Sequence, residues 1–345
     1  MQPSEYVLEA RDLVKHYPSG GKAFGSKQVV HALDGVSLGL RRGETLAVVG
    51  ESGSGKSTLG RLLLRLEEPT SGSVFANGVD LATLSRSDLR RFRRHMQMVF
   101  QDPYSSLNPR MRAEDLISES WIVHPETEPG NRRARVRELL DLVGLRETDR
   151  IKFAHQFSGG QCQRIAIARA LAPKPSILVC DEPVSSLDVS IQAQIINLLA
   201  DIQAEMDLSC VFISHDLAIV RHIADQVAVL YLGRIAEEAS TDELFEAPRH
   251  PYTAALLSAS PIPDPEIERK RIRILLHKAI PNPVSPPDGC RFHPRCWRAT
   301  DECRALVPDL GREESQTHAF ACFHPTQGTL DQIEDAARSE QGVAS

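Results

Sequence analysis

A glycine-rich segment near the start of the chain has the residue types that bind phosphate groups. Residues 50–57 fit the pattern GxxxxGK[ST] at every fixed position, after an apolar run and before a helical pattern of leucines. Glycines let successive backbone N–H groups point at phosphate oxygens, while Lys56 would reach the β- and γ-phosphates and Ser57 would ligate Mg²⁺. The segment therefore predicts a nucleoside triphosphate site. Its expected binding residues are Gly50, Ser52, Gly53, Ser54, Gly55, Lys56, Ser57 and Thr58.

Two carboxylates follow an apolar run in the middle of the chain. Residues 177–180 read as a buried strand that ends at Asp181 and Glu182. Asp181 can hold Mg²⁺ through water, and Glu182 can orient or activate an attacking water molecule. A solvated strand end is the alternative for the pair taken alone. Beside a phosphate loop, the pair predicts phosphoryl transfer to water.

Four of the seven cysteines fall within one short stretch near the end of the chain. They are Cys290, Cys296, Cys303 and Cys322. Four thiolates suit either a tetrahedral zinc ion or an iron–sulfur cube, and reduced thiols in a loop-rich cap are the third alternative. Zinc sites usually bring cysteine pairs two to four residues apart, and no such pair occurs here.

The composition of the chain limits the class of protein that could position these residues. The 345 residues predict about two domains at roughly 100–200 residues each. Forty basic against 46 acidic side chains give a net charge of −6, which argues against a chain that binds nucleic acid over most of its surface. No apolar run reaches the roughly 18 residues of a membrane helix, and the first residues do not resemble a secretory signal. We expect a cytosolic protein with an α/β core.

The order of further motifs identifies a family. Residues 157–161, Phe-Ser-Gly-Gly-Gln, resemble the LSGGQ signature of ATP-binding cassette (ABC) ATPases, with Phe in place of Leu. Residues 185–188 resemble the D-loop, His215 the switch histidine, and Gln101 the Q-loop glutamine. The resemblance covers residues 5–250. It implies an α/β P-loop domain with a RecA-like core, an antiparallel β subdomain and a helical subdomain, followed by a small C-terminal Cys-containing unit.

The resemblance also assigns roles to residues. Glu182, His215 and Gln101 would be catalytic, Gln101 also sensing Mg²⁺, and Tyr17 would stack on adenine, with a core tyrosine as the alternative. A lengthened segment, residues 19–25, separates Tyr17 from the phosphate loop. The signature would meet the γ-phosphate on a partner cassette, so that a dimer is implied. The residues that would act across that dimer are Ser158, Gly159, Gly160, Gln161 and Asp188.

The end of the chain resembles one branch of the family. Residues 249–258, the proline-rich run before Cys290 and the segment 101–109 are similar to dipeptide/oligopeptide importer ATPases. This implies a second ABC ATPase subunit, two transmembrane permeases and a solute-binding protein as partners, at the cytoplasmic face of the inner membrane. It also favours a 4Fe–4S cluster at the four cysteines. Expected boundaries are 1–250 for the ATPase, 251–325 for the C-terminal unit and 326–345 for a flexible tail.

Two alternatives to peptide import remain at this point. One is a soluble ABC ATPase that acts on ribosomes or nucleic acid, although such proteins usually carry two cassettes or a long coiled-coil insertion. The other is an importer of another solute, such as an opine, a nickel chelate or a sugar. The sequence does not decide whether the cassette pairs with itself or with a homologous subunit.

Overall fold

The structure is a computed structural model. It describes residues 5–19, 28–261, 266, 269, 273–276, 278–312 and 317–341. Most of the lengthened segment after Tyr17, residues 20–25, lies outside this description, as do the four residues at each end of the chain.

An eight-stranded sheet forms the centre of the molecule, in the order β11-β12-β10-β9-β3-β8-β7-β6. Its parallel strands are β3 (Thr45–Val49), β6 (Met96–Val99), β7 (Ile177–Asp181), β8 (Ser209–Ser214) and β9 (Gln226–Tyr231). Its antiparallel strands are β10 (Arg234–Ser240), β11 (Gly311–Arg312) and β12 (Ala319–Phe320). Buried apolar residues fill β3, β7 and β8 without alternation, as expected for strands covered on both faces. The strand predicted at 177–180 is therefore confirmed.

A second, antiparallel sheet lies over one face of the first. Its strands are β1 (Tyr6–Ser19), β2 (Gln28–Arg41), β4 (Ser71–Ala76) and β5 (Val79–Asp80), in the order β2-β1-β4-β5. Helix α1 (Lys56–Leu63) packs between the two sheets, where Leu59 and Leu62 join Leu13 and Val179 in one buried cluster. This packing fixes the start of α1 against the end of β3, which is where the phosphate loop must sit.

The remaining helices of residues 86–246 cover the sheet and form a helical part beside it. They are α2 (Arg86–Phe92), α3 (Pro103–Ser106), α4 (Ala113–Val123), α5 (Arg132–Leu142), α6 (Gly159–Leu171), α7 (Val189–Met206), α8 (Leu217–Ile223) and α9 (Thr241–Glu246). Trp121 of α4 is buried at their centre and donates from Nε1 to the Ala172 carbonyl oxygen over 3.1 Å. The α/β domain, antiparallel sheet and helical part agree with the fold expected from the sequence.

The last part of the chain docks on the central sheet. It contains α10 (Pro251–Ala259), α11 (Asp301–Ala305), the strands β11 and β12, and α12 (Leu330–Gln341). Helix α12 falls within residues 326–345, where a flexible tail was expected, and its Ile333 and Ala337 are buried against Ala254 and Ala255 of α10. Within the described part of the chain, no helix has both the length and the apolar character needed to cross a membrane.

Candidate nucleotide site and thiol pocket

The predicted phosphate loop joins β3 to α1 and has the conformation of an anion cradle. Gly50, Gly53 and Gly55 all have positive φ values, of 151°, 77° and 109°. A Cβ atom at Gly50 would lie 2.2 Å from the Leu230 carbonyl oxygen, so that only glycine fits there. The buried hydroxyl of Ser54 has no hydrogen-bond partner among the described residues. A curled backbone with an unused buried hydroxyl fits a phosphate chain.

Lys56 is held at this loop by the loop's own carbonyl groups. Its Nζ atom donates to Gly50 O over 2.7 Å and to Glu51 O over 3.0 Å. Burial lowers the pKa of Lys56, while the nearby carboxylates of Glu182, Asp181 and Glu51 act in the opposite direction. The ammonium group therefore lies where incoming phosphate oxygens would replace carbonyl oxygens as its partners.

A hydroxyl and a carboxylate suited to Mg²⁺ lie side by side. Ser57 Oγ donates to Asp181 Oδ1 over 3.0 Å, which joins the start of α1 to the end of β7. Burial raises the pKa of Asp181, the Ser57 hydrogen bond lowers it, and the negative charge of Glu182 raises it again. A half-buried hydroxyl and a buried carboxylate, beside the second carboxylate of Glu182, match the oxygen-ligand preference of Mg²⁺.

Two predicted catalytic side chains, Gln101 and His215, converge on the third, Glu182. Gln101 Nε2 donates to Glu182 Oε2 over 2.9 Å, and His215 Nδ1 lies 3.3 Å from Glu182 Oε1. Glu182 has a positive φ of 45°, a rare conformation for a residue with a side chain, and its N–H is held by the Ile213 carbonyl oxygen at 3.0 Å. Because β6, β7 and β8 are neighbours in the parallel sheet, their carboxyl ends bring these groups together.

Tyr17 lies next to the phosphate loop but is already engaged. Its hydroxyl is hydrogen-bonded to Glu67 and interacts with Thr58, the residue after the loop motif. Lys15 Nζ is 4.9 Å from the centre of the Tyr17 ring. Burial raises the pKa of the Tyr17 hydroxyl, and the Glu67 hydrogen bond raises it further. These contacts orient the ring, and whether it stacks on adenine stays a prediction.

The signature opens helix α6. Ser158 caps the helix by accepting from the Gln161 N–H over 3.4 Å, and the Gln161 side chain accepts from the Ser158 N–H over 3.1 Å. Asp188 begins α7, the helix against which Gly160 packs. Among the described residues, no hydrogen bond or ion pair joins Ser158 to residues 50–58.

A second set of contacts, which no sequence pattern indicated, joins the last part of the chain to this site. Arg295 forms two hydrogen bonds with Glu51 of the phosphate loop, and the Tyr252 hydroxyl accepts from the Glu51 N–H. Arg291 is hydrogen-bonded to Asp34 of β2 and to the Leu232 carbonyl oxygen. More than 200 residues separate Glu51 from Tyr252 and from Arg295, and no local sequence pattern indicates such a pairing.

The four clustered cysteines line one small pocket beneath α10, together with Phe292 and His293. Burial raises the pKa of Cys290, and it raises those of Cys296 and Cys322 to about 12. Their sulfur atoms do not include three that lie within 4.8 Å of one another; among the described residues that spacing is met by His16, His31 and Asp34. Zinc would need tighter packing, because thiolates 2.3 Å from one tetrahedral ion lie about 3.8 Å apart.

Comparison with protein families gives two matches along the chain. Residues 33–185 match the ABC transporter family. This range includes the phosphate loop, the signature and the acidic strand end. Residues 236–303 match the family described as the oligopeptide/dipeptide transporter C-terminal region.

Similar proteins match nearly the whole chain. The dipeptide transport ATP-binding protein DppF of Haemophilus influenzae is 49% identical over 318 residues, covering 92% of this chain and 96% of that protein. DppF of Escherichia coli is 47% identical over 332 residues, covering 96% and 97%. The oligopeptide transport ATP-binding protein AppF of Bacillus subtilis is 47% identical over 320 residues, covering 92% and 97%.

Solved structures match the ATPase part. A dimeric, post-hydrolysis ATP-binding cassette bound to ADP and Pi aligns with a TM-score of 0.60 at 30% identity, over 68% of this chain and 98% of that one. The cbiO1 subunit from Clostridium perfringens aligns with a TM-score of 0.59 at 30% identity, over 70% and 91%. The chain therefore belongs to the ABC transporter family of ATP-binding cassette ATPases, in the branch that carries the oligopeptide/dipeptide transporter C-terminal region.

Proposed function

We propose that this ATPase is the energy-supplying subunit of an importer for di- or oligopeptides. The observation that carries the proposal is similarity along the whole chain: proteins named for dipeptide and oligopeptide transport match it over more than 90% of its length. The match extends through residues 236–303, the oligopeptide/dipeptide transporter C-terminal region. The solved cassettes, in contrast, align over 68% and 70% of this chain. In this proposal residues 1–250 form the ATPase domain and residues 251–325 the C-terminal unit.

The side chains divide the chemistry of ATP hydrolysis between them. Lys56 and the N–H groups of the phosphate loop bind and orient the β- and γ-phosphates. Ser57 and Asp181 are the residues that would hold Mg²⁺, which when bound neutralises charge developing on the phosphoryl oxygens. Glu182 positions the attacking water and accepts its proton. Gln101 and His215 hold the Glu182 carboxylate in place, and His215 faces the γ-phosphate.

A second cassette completes the site. The signature at Ser158, Gly159 and Gly160 makes no polar contact with the phosphate loop of its own chain in the part that the structure describes. We propose that it meets the γ-phosphate bound by a partner cassette, with Asp188 acting across the interface. Closure of this dimer on ATP and its opening after hydrolysis would move two transmembrane permeases through the loop around Gln101. A solute-binding protein would select the peptide outside, and the cassette would work at the cytoplasmic face of the inner membrane.

The four-cysteine pocket completes the proposal with a 4Fe–4S cluster. Cys290, Cys296, Cys303 and Cys322 would each supply one thiolate. The four cysteines line one pocket, and their spacing along the chain lacks the close pairs that zinc sites usually have, which supports a cluster over a single zinc ion. When bound, the cluster would cross-link a unit that has little apolar core of its own.

Capture of the tagged chain from detergent-solubilised membranes tests the transport proposal. We expect two multi-span subunits and a second cassette in the eluate, ATP hydrolysis, and iron in excess of zinc. Recovery with ribosomes or nucleic acid, or recovery alone, would overturn the transport proposal while leaving the ATPase intact. Stoichiometric zinc without iron after anaerobic purification would overturn the cluster.

A further inference from the structure

The C-terminal unit contacts the phosphate loop through a partly buried ion pair. Arg295 Nη1 lies 2.5 Å from Glu51 Oε2, and Nη2 lies 2.9 Å from Glu51 Oε1, so the two groups meet in a bidentate arrangement. The Arg295 side chain is only 5% exposed. Its guanidinium carbon lies 5.9 Å from the centre of the Tyr231 ring, which supports it from the side of the central sheet.

A second contact holds the backbone of the same residue. The Glu51 N–H donates to the Tyr252 hydroxyl over 2.9 Å. Tyr252 is fully buried in α10, and its ring packs 4.5 Å from the ring of Tyr231 and 5.4 Å from that of Phe292. The loop residue Glu51 is therefore fixed at its side chain by Arg295 and at its main chain by Tyr252.

These contacts act on the part of the loop that holds Lys56. The carbonyl oxygens of Gly50 and Glu51 are the acceptors of the Lys56 ammonium group, and Glu51 is the residue that the C-terminal unit fixes. We propose that Arg295 and Tyr252 are positioning residues for the phosphate loop, through which the C-terminal unit sets the affinity of the ATPase for ATP. The proposal rests on ATP binding at residues 50–58 and adds to it a contribution from residues more than 200 positions away.

The expected effect is on binding rather than on the chemical step. Without the contacts of Arg295 and Tyr252 with Glu51, the loop occupies its binding conformation for a smaller fraction of the time. The apparent affinity for ATP then falls in proportion to that fraction. Once phosphates occupy the loop, its N–H groups and Lys56 hold it, so that the positions of Glu182 and Gln101 are unaffected. We therefore expect KM to rise and kcat to stay constant.

Arg295→Gln and Tyr252→Phe are the variants that test this. Tyr252→Phe removes one oxygen atom and keeps the ring packing, so it stays informative if Arg295→Gln folds poorly. Arg304→Gln is the matched control, because Arg304 is a solvent-exposed arginine of the same unit that pairs with Asp301. The dissociation constant of a fluorescent ATP analogue, KM, kcat and the urea midpoint are measured for each purified full-length variant.

We expect the dissociation constant and KM to rise at least about fivefold for both variants, the lower end of typical coupling between sites, with kcat within about twofold. Arg295→Lys should restore part of the loss, because it keeps the charge without the bidentate geometry. Combining Arg295→Gln with Glu51→Gln should add little to the larger single effect. Unchanged affinity in both variants, or a loss confined to kcat, would overturn the positioning role. A wild-type chain that neither binds nor hydrolyses ATP would instead overturn the proposed function.

Discussion

Replacing Gly160 by alanine should destabilise the protein through one steric contact. A Cβ atom at this position would lie 2.5 Å from Ile191 Cγ2, an atom of helix α7. Carbon atoms pack at about 3.5–4.0 Å, so roughly 1 Å must be absorbed by moving α6, α7 or the Ile191 side chain. Ile191 is branched at Cβ, which restricts its rotation away from the new methyl group. Overpacking of this kind costs about 1–3 kcal/mol.

The compensating change is Ile191→Ala. It removes Cγ2 and leaves Ile191 Cβ, the next atom met by the new methyl group, at 3.9 Å, which is ordinary contact. We expect Gly160→Ala to lower the urea midpoint of the ATPase core, and the double variant to be no less stable than Ile191→Ala alone. The coupling free energy from the four proteins should therefore be about 1–3 kcal/mol in favour of the pair.

Circular dichroism in urea measures these stabilities, and ATP hydrolysis is measured on the same samples. A Gly160→Ala protein as stable as wild type, or one that Ile191→Ala fails to rescue, would refute the steric argument. The double variant also separates packing from chemistry. If it is stably folded but hydrolyses ATP poorly, Gly160 is needed for close approach of phosphate as well as for packing, as the proposed dimer requires.

Three further predictions concern the nucleotide site and the docking of the C-terminal unit. Glu182→Gln should trap the ATP-bound dimer, which gel filtration detects. It should also lower kcat in a phosphate-release assay by about 10²- to 10⁴-fold, as expected for loss of a general base. Turnover near wild type would remove Glu182 as the main catalytic group. Tyr17→Ala should weaken binding of a fluorescent ATP analogue several-fold while Tyr17→Phe, which keeps the ring, should not, and equal affinities would exclude stacking. Burial alone would raise the pKa of Asp34, but hydrogen bonds from His16 and Arg291 outweigh it and hold the pKa below its ordinary value. The unfolded state then binds more protons, so unfolding free energy should fall as pH drops below about 4, and fall less steeply for Asp34→Asn in acid titrations followed by fluorescence.

The parts of the site that the sequence predicted are those encoded locally. The phosphate loop needs glycines at fixed spacing and a following helix, and the acidic strand end needs only an apolar run before Asp181. Each feature can therefore be predicted from a window of about ten residues. The roles of Gln101 and His215 beside Glu182 were expected only from a family resemblance, because the order of their strands in the sheet, β8-β7-β6, is not visible in any local pattern.

The contacts that the sequence did not predict join distant segments. The pairing of Arg295 with Glu51 depends on how α10 and the cysteine-containing loops dock on the central sheet. That docking depends on the packing of rings such as Phe292, which no sequence motif identifies. The packing of α12 depends on distant segments in the same way. Its Ile333 and Ala337 share one buried cluster with Ala254 and Ala255 of α10 and with Ile274.

The pairing of β12 with β10 has a consequence for synthesis of the chain on the ribosome. The outer edge of β10 is complete at Ser240, but its partner, Ala319–Phe320, is made 80 residues later. At about 5–20 residues per second, the nascent sheet keeps an open edge for roughly 4–16 s. Glu237 lies on that strand, and its carboxylate accepts from the backbone N–H groups of Arg249 and His250, which are made soon after β10. Its pairing with His318 at 2.6 Å has to wait for the segment that closes the sheet. A charged side chain on an open strand opposes edge-to-edge association, and the same carboxylate later pairs with the residue next to β12.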